Sequence, residues 1–99
     1  MASQPAAGKN MRYVRVRWVH DDPYEPIDLY YELKEDHRAA RAIEVYGDGS
    51  MEQVDPDLME APLPPLKDIN AMPEFKGTEI SKEAFETVWK KMLDSNREG

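Results

Sequence analysis

A chain of 99 residues makes one domain at most, and at this size only about 60% of the unfolded surface is buried on folding, so the core is small. Its 20 Asp and Glu against 13 Lys and Arg leave a net charge of −7, which repels phosphate backbones and anionic lipid and argues against nucleic acid or a membrane surface as partner. With no cysteine there is no disulfide framework and no cysteine zinc site, and without an apolar run of about 20 residues or a secretory leader the expected setting is the cytoplasm.

Residues 1–10, MASQPAAGKN, are small and polar and are expected to be a disordered tail ahead of a single domain over 11–94, with 95–99 as a second tail. RYVRVRWVH alternates strictly, with Val14, Val16 and Trp18 on one side and Tyr13, Arg15, Arg17 and Val19 on the other, which predicts a half-buried strand. IDLYYELK repeats the pattern, with Ile27, Leu29, Tyr31 and Leu33 facing in and Asp28, Tyr30, Glu32 and Lys34 facing out. RAARAIEVY closes on β-prone residues and predicts a third strand from Ala40. Gly47-Asp48-Gly49 then supplies a hairpin turn into a weak fourth strand in SMEQVD.

Residues 55–79 hold five of the eight prolines and predict a connection that is not strand, with Pro65 opening a short helical turn. A connection this long needs anchoring, and Leu63, Leu66, Ile69 and Phe75 are its expected anchors. ISKEAFETVWKKMLDSN predicts a helix capped by Ser81, with Glu83 in the first turn and Ile80 stapled to Phe85. Phe85, Val88, Trp89 and Met92 recur at helical spacing, so one face of this helix must be covered. The expected fold class is α+β: an antiparallel meander of three or four strands with the C-terminal helix across the face that carries Val14, Val16 and Trp18.

His20-Asp21-Asp22 raises a metal or acid/base site, but the other histidine, His37, falls at the far end of the second strand, and no third ligand converges. Polar residues ending a strand and entering the turns at Asp22-Pro23 and Glu25-Pro26 account for this stretch. Gly47-Asp48-Gly49 lacks the lysine of a phosphate loop and the alternating carboxylates of a calcium loop. No cofactor, metal site or catalytic set is expected. The outer sheet face is more suggestive: Tyr13, Arg15, Arg17, Tyr30, Glu32, Glu44 and Tyr46 are of residue types used at protein interfaces, and form the candidate partner-binding surface.

Together, YVRVRWVHDDPYEPIDLYYELKEDHRAARAIEVYGDG, APLPPLKDINAMPEF and EISKEAFETVW resemble a family of small bacterial proteins known as domain of unknown function 6881, over about residues 11–93. The resemblance implies no activity. It implies structural roles for Trp18, Leu33, Val45, Phe85 and Trp89 in the core and Gly49 in a turn, and a polar cluster of Glu32, Arg41 and Glu44. Small stand-alone proteins of this kind are often encoded beside toxins, an analogy of context. The expected function is therefore non-enzymatic: binding another protein, in the manner of an immunity-type inhibitor whose acidity steers it to a basic toxin. The alternative is a metabolite-binding domain with its pocket between the sheet and the proline-rich segment.

Overall fold

The computed structural model describes residues 11–59 and 61–97; the expected N-terminal tail lies outside the described residues. The alternating segments form strands β1 (Arg12–Trp18), β2 (Asp28–Leu33), β3 (Ala39–Val45) and β4 (Met51–Val54). A fifth strand, β5 (Phe75–Ile80), lies within the stretch expected to be irregular, and pairs with β1 beyond the last proline. The sheet is antiparallel throughout, in the order β4-β3-β2-β1-β5. Helix α1 (Leu66–Asn70) follows Pro65, and α2 (Lys82–Arg97) follows β5 and runs past residue 94, where the domain was expected to end.

Two hairpin turns of the same construction set the register of β3. In each, an aspartate carboxylate accepts the backbone N–H two residues on: Asp36 from Arg38 and Asp48 from Ser50. In each, the residue after the aspartate adopts a left-handed backbone, Gly49 at φ 90° and His37 at φ 69°. Glycine does this without steric cost, whereas His37 gives up about 1–2 kcal/mol. The histidine position is secured from outside, because its carbonyl accepts the Leu63 N–H at 2.9 Å and its ring Nδ1 lies 3.3 Å from the Leu63 carbonyl. One turn thus also anchors the proline-rich segment.

A hydrophobic layer lies on each side of the sheet, and the assignment of covers corrects the expected arrangement. The Val14, Val16 and Leu29 face is covered by Leu63, Pro64 and α1, which buries Ile69 and approaches β5 at Gly77. The face expected to be outermost carries Tyr13, Ile43 and Tyr30, and α2 lies across that one, bringing Phe85 and Met92 onto them. Tyr13 and Phe85 meet with ring centroids 5.4 Å apart. Ser81 caps α2 as expected, its Oγ accepting the Ala84 N–H at 3.0 Å, and Ile80 packs against the same cluster.

The proline-rich segment also closes an edge. The Asn70 side chain donates to the Gly77 carbonyl at 3.0 Å and accepts the Gly77 N–H at 2.6 Å, occupying the positions a further strand would use. At Gly77 a Cβ would come within 2.7 Å of Leu66 Cδ2, so this strand position suits a residue without a side chain.

Because the sheet separates the two layers, their contributions to stability are expected to be independent. Phe85, fully buried under one face, and Ile69, 4% exposed under the other, report on them separately. Phe85→Leu and Ile69→Val should each cost on the order of 1 kcal/mol in urea denaturation, and the double variant should match their sum within about 0.5 kcal/mol. A coupling well beyond that would show one continuous core.

Candidate functional site

The seven residues expected on one outer surface are distributed by the structure over three environments. Tyr13 is 6% exposed and Glu32 8%, so burial under α2 removes both from any outer face. Arg15, Arg17 and Tyr30 stay on the half of that face which α2 leaves open, Tyr30 packing partly against the core. Glu44 stands opposite Leu29 rather than Tyr30, which puts Glu44, and Tyr46 with it, on the other face. The pairing of Glu32 with Arg41 makes the one-residue difference, and a one-residue shift moves every side chain of a strand across the sheet.

Under α2 the polar residues satisfy one another. Arg41 gives Glu32 two bonds, Nε to Oε1 at 2.8 Å and Nη2 to Oε2 at 2.9 Å. It gives Glu86 of α2 two more, at 3.3 and 2.6 Å. The Tyr13 hydroxyl donates to Glu32 Oε2 at 2.9 Å. The guanidinium carbon lies 4.9 Å from the Phe85 ring centroid and 4.8 Å from that of Trp89, so the cation also sits over two aromatic faces. Arg41 holds the Glu32 carboxyl below its ordinary range through these hydrogen bonds, and burial together with Glu32 pushes the Tyr13 phenol up to about 12. Of the polar cluster implied by the family resemblance, Glu32 and Arg41 meet; Glu44 bonds Tyr46 instead, and Glu86 takes its place.

On the open half, Asp28 is 6% exposed and receives two arginine forks. Arg15 donates from Nε and Nη2 at 3.0 and 3.1 Å, and Arg17 likewise at 3.1 and 3.0 Å. Arg15 also lies over the Tyr30 ring at 5.8 Å. The two guanidinium groups are thereby held in fixed positions on a surface otherwise open to solvent.

The third environment is the end of the sheet formed by the β1–β2 loop and the β3–β4 turn. Here His20 acts structurally: Nε2 donates to the Pro26 carbonyl at 2.8 Å while Nδ1 accepts the Asp22 N–H at 3.0 Å, which sets the tautomer. Asp22 in turn accepts the Tyr24 N–H at 2.9 Å, an Asx-turn that holds Tyr24 at the tip with 86% of its surface exposed. Pro23, Tyr24, Tyr46, Asp48 and Glu52 line a shallow hollow of about 550 Å³. No lysine or arginine occurs between Trp18 and Leu33 or between Ala42 and Leu66, so this end is acidic as well as aromatic. Its signal in the sequence was that charge gap, which totals of charged residues do not reveal.

Arg41→Gln should be among the most damaging single substitutions, costing about 3–5 kcal/mol, because it leaves Glu32 buried without its cation. The depressed Glu32 carboxyl contributes stability that is fully present above its ordinary value of 4.5 and is lost as pH falls through its folded value. Urea denaturation between neutral and acidic pH should therefore show an acid-induced loss in the wild type that shrinks in Arg41→Gln. Equal pH slopes in the two proteins would contradict this role.

No helix among the described residues is long and apolar enough to cross a membrane. No curated protein and no solved structure matches the chain. The model of the family described as Domain of unknown function (DUF6881) matches residues 12–94, spanning every strand and nearly all of the helix that covers them, and the chain belongs to that family.

Proposed function

We propose that the protein is a non-enzymatic binding module for a basic protein partner, engaged through the acidic and aromatic end of the sheet, in the manner of an immunity-type inhibitor of a toxin. One observation carries the reading: Tyr24, 86% exposed, sits on a loop pinned by the bonds of His20 and Asp22, beside Tyr46 and among carboxylates with no cation nearby in sequence. Interface hot spots are enriched in tyrosine, and a loop backbone already ordered loses little entropy on binding. Glu44 and Tyr46, coupled by a 3.0 Å hydrogen bond, belong to this surface. The net charge of −7 adds long-range attraction for a basic partner. A cytoplasmic setting accords with a chain that has no cysteine.

A metabolite site between sheet and proline-rich segment is the second reading, and clefts are present there. One of about 160 Å³ is lined by Val14, His37, Leu63 and Pro65, another of about 180 Å³ by Val16, Tyr31, Pro64 and Phe75. Both fall below the roughly 300 Å³ at which ligand pockets usually begin, and the larger hollow of about 670 Å³ beside Pro56 is a shallow surface lined by Lys34, Arg38 and Asp57 as well as Met59 rather than an apolar pocket, so protein binding is preferred.

The test is capture from native lysate with the wild type, Tyr24→Ala, and an Asp48→Lys/Glu52→Lys pair, followed by association kinetics with the captured protein. A basic protein retained by wild type should bind Tyr24→Ala at least about tenfold more weakly. Its association rate should fall steeply with added salt and should be slowest for the charge-reversed pair. An acidic partner, or a rate indifferent to ionic strength, would sink the proposal; a melting shift with a metabolite panel and no captured protein would favour the second reading.

A further inference from the structure

The open half of the sheet face under β1 and β5 carries cations that the fold does not neutralise. Arg17 stands directly opposite Lys76 across the β1–β5 pair, and Arg15 opposite Thr78. Like charges at directly opposed positions destabilise a sheet. On its other side Arg17 faces Asp28, but that carboxylate is shared with Arg15. Three cations against one carboxylate leave two positive charges over, in a protein whose total charge is −7.

The donors of this patch are arranged and unspent. Each guanidinium uses Nε and Nη2 on Asp28, which leaves the Nη1 amine of each directed elsewhere. Lys76 makes no side-chain hydrogen bond or ion pair among the described residues. Arg15, Arg17, Val19, Lys76 and Thr78 line a shallow depression of about 470 Å³. Two fixed planar forks, a mobile ammonium and a hydroxyl suit a tetrahedral oxyanion better than a planar carboxylate, because they offer donors from several directions. The excess of two charges matches a group that carries −1.5 to −2 near neutral pH, as a phosphomonoester does.

We infer that Arg15, Arg17, Lys76 and Thr78 form a phosphate-binding site, with Asp28 as the positioning residue that holds the two guanidinium groups apart and oriented. The site lies on a different surface from the acidic end and does not rest on the reading proposed for it. The phosphate would be either free or esterified, and the recognition chemistry is the same for both.

The test titrates the full chain, at fixed ionic strength in chloride, with inorganic phosphate, phenyl phosphate and acetate, following amide and arginine side-chain NMR shifts. Saturable shifts centred on Arg15, Arg17, Lys76 and Thr78 are expected with phosphate or its phenyl ester, with acetate at least about tenfold weaker. Lys76→Gln should weaken phosphate by about tenfold or more. In phosphate-free chloride the same variant should melt roughly 1–5 °C higher than wild type, since it removes a like-charged pair, and this separates loss of the site from loss of the fold. A preference for the ester or for the free anion identifies the source, and either supports the site. Equal affinity for acetate, shifts that do not saturate, or a response unchanged in Lys76→Gln would overturn it.

Discussion

The four bonds and two ring contacts of Arg41 decide where the C-terminal helix can lie. A sheet face bearing Tyr13, Glu32 and Arg41 is a poor surface on which to lay Phe85 and Met92, because burying an unpaired carboxylate or guanidinium costs several kcal/mol. The helix brings its own contribution to the solution. Glu86 completes the pairing of Arg41, while Phe85 and Trp89, one turn apart on the same face, put their rings against the cation. Moving the helix along the sheet would leave Arg41 without Glu86 and the rings without Arg41, so a charged cluster fixes a position that hydrophobic contact alone would define loosely. The same constraint leaves the Arg15, Arg17 and Asp28 half of the face uncovered.

The parts of the fold legible in the sequence were those with a local cause. Alternation over Tyr13 to Trp18 and Ile27 to Leu33 gave β1 and β2 with the right residues together, the left-handed position at Gly49 gave its hairpin, and Ser81 with the Phe85, Val88, Trp89 and Met92 stripe gave the helix. What escaped depended on partners distant in the chain. Alternation divides a strand into two faces without saying which is buried, and here both are covered, one by a helix and the other by a proline-rich segment. Polar residues marked the Tyr13 face as the outer one because their partner Glu86 lies 45 residues from Arg41. The face of β3 is hidden in the sequence for a related reason. Matching Glu32 to Arg41 in charge, rather than extending the out-facing series to Glu44, would have placed Ile43 beneath the helix, where its aliphatic side chain belongs. β5 escaped because it is short, contains Gly77, and follows a run of prolines that argues against strand only as far as Pro73.

The candidate surfaces were legible to different degrees. Arg15, Arg17 and Tyr30 fell together on the exposed face, since parity along β1 and its pairing with β2 were enough to group them. Lys76 could join them only once β5 was known to pair with β1. Tyr24 carried no periodic signal at all, being the tip of a loop whose shape depends on what His20 and Asp22 bond. The histidine that invited a metal-site reading is what holds that loop, with both ring nitrogens engaged by backbone groups.

The acidic end and the cationic depression are neighbours, because Val19, which lines the depression, leads directly into the loop that carries Asp21, Asp22 and Tyr24. Asp22 follows Val19 by three residues, at most about 11 Å along an extended chain, so at low salt, where screening lengths reach about 30 Å, their fields overlap. Carboxylates of the loop raise the work of bringing an anion to Arg17 and Lys76, so at the proposed site the free protein would hold phosphate less tightly than the donor set alone allows. The proposed basic partner, seated on the loop, would neutralise that opposing field. Anion and partner would then favour each other, and thermodynamic reciprocity would require the factor by which one tightens the other to be the same in both directions. Since such coupling would run through solvent-exposed charge, added salt would weaken it, whereas the hydrogen bonds that fix Arg15 and Arg17 on Asp28 persist.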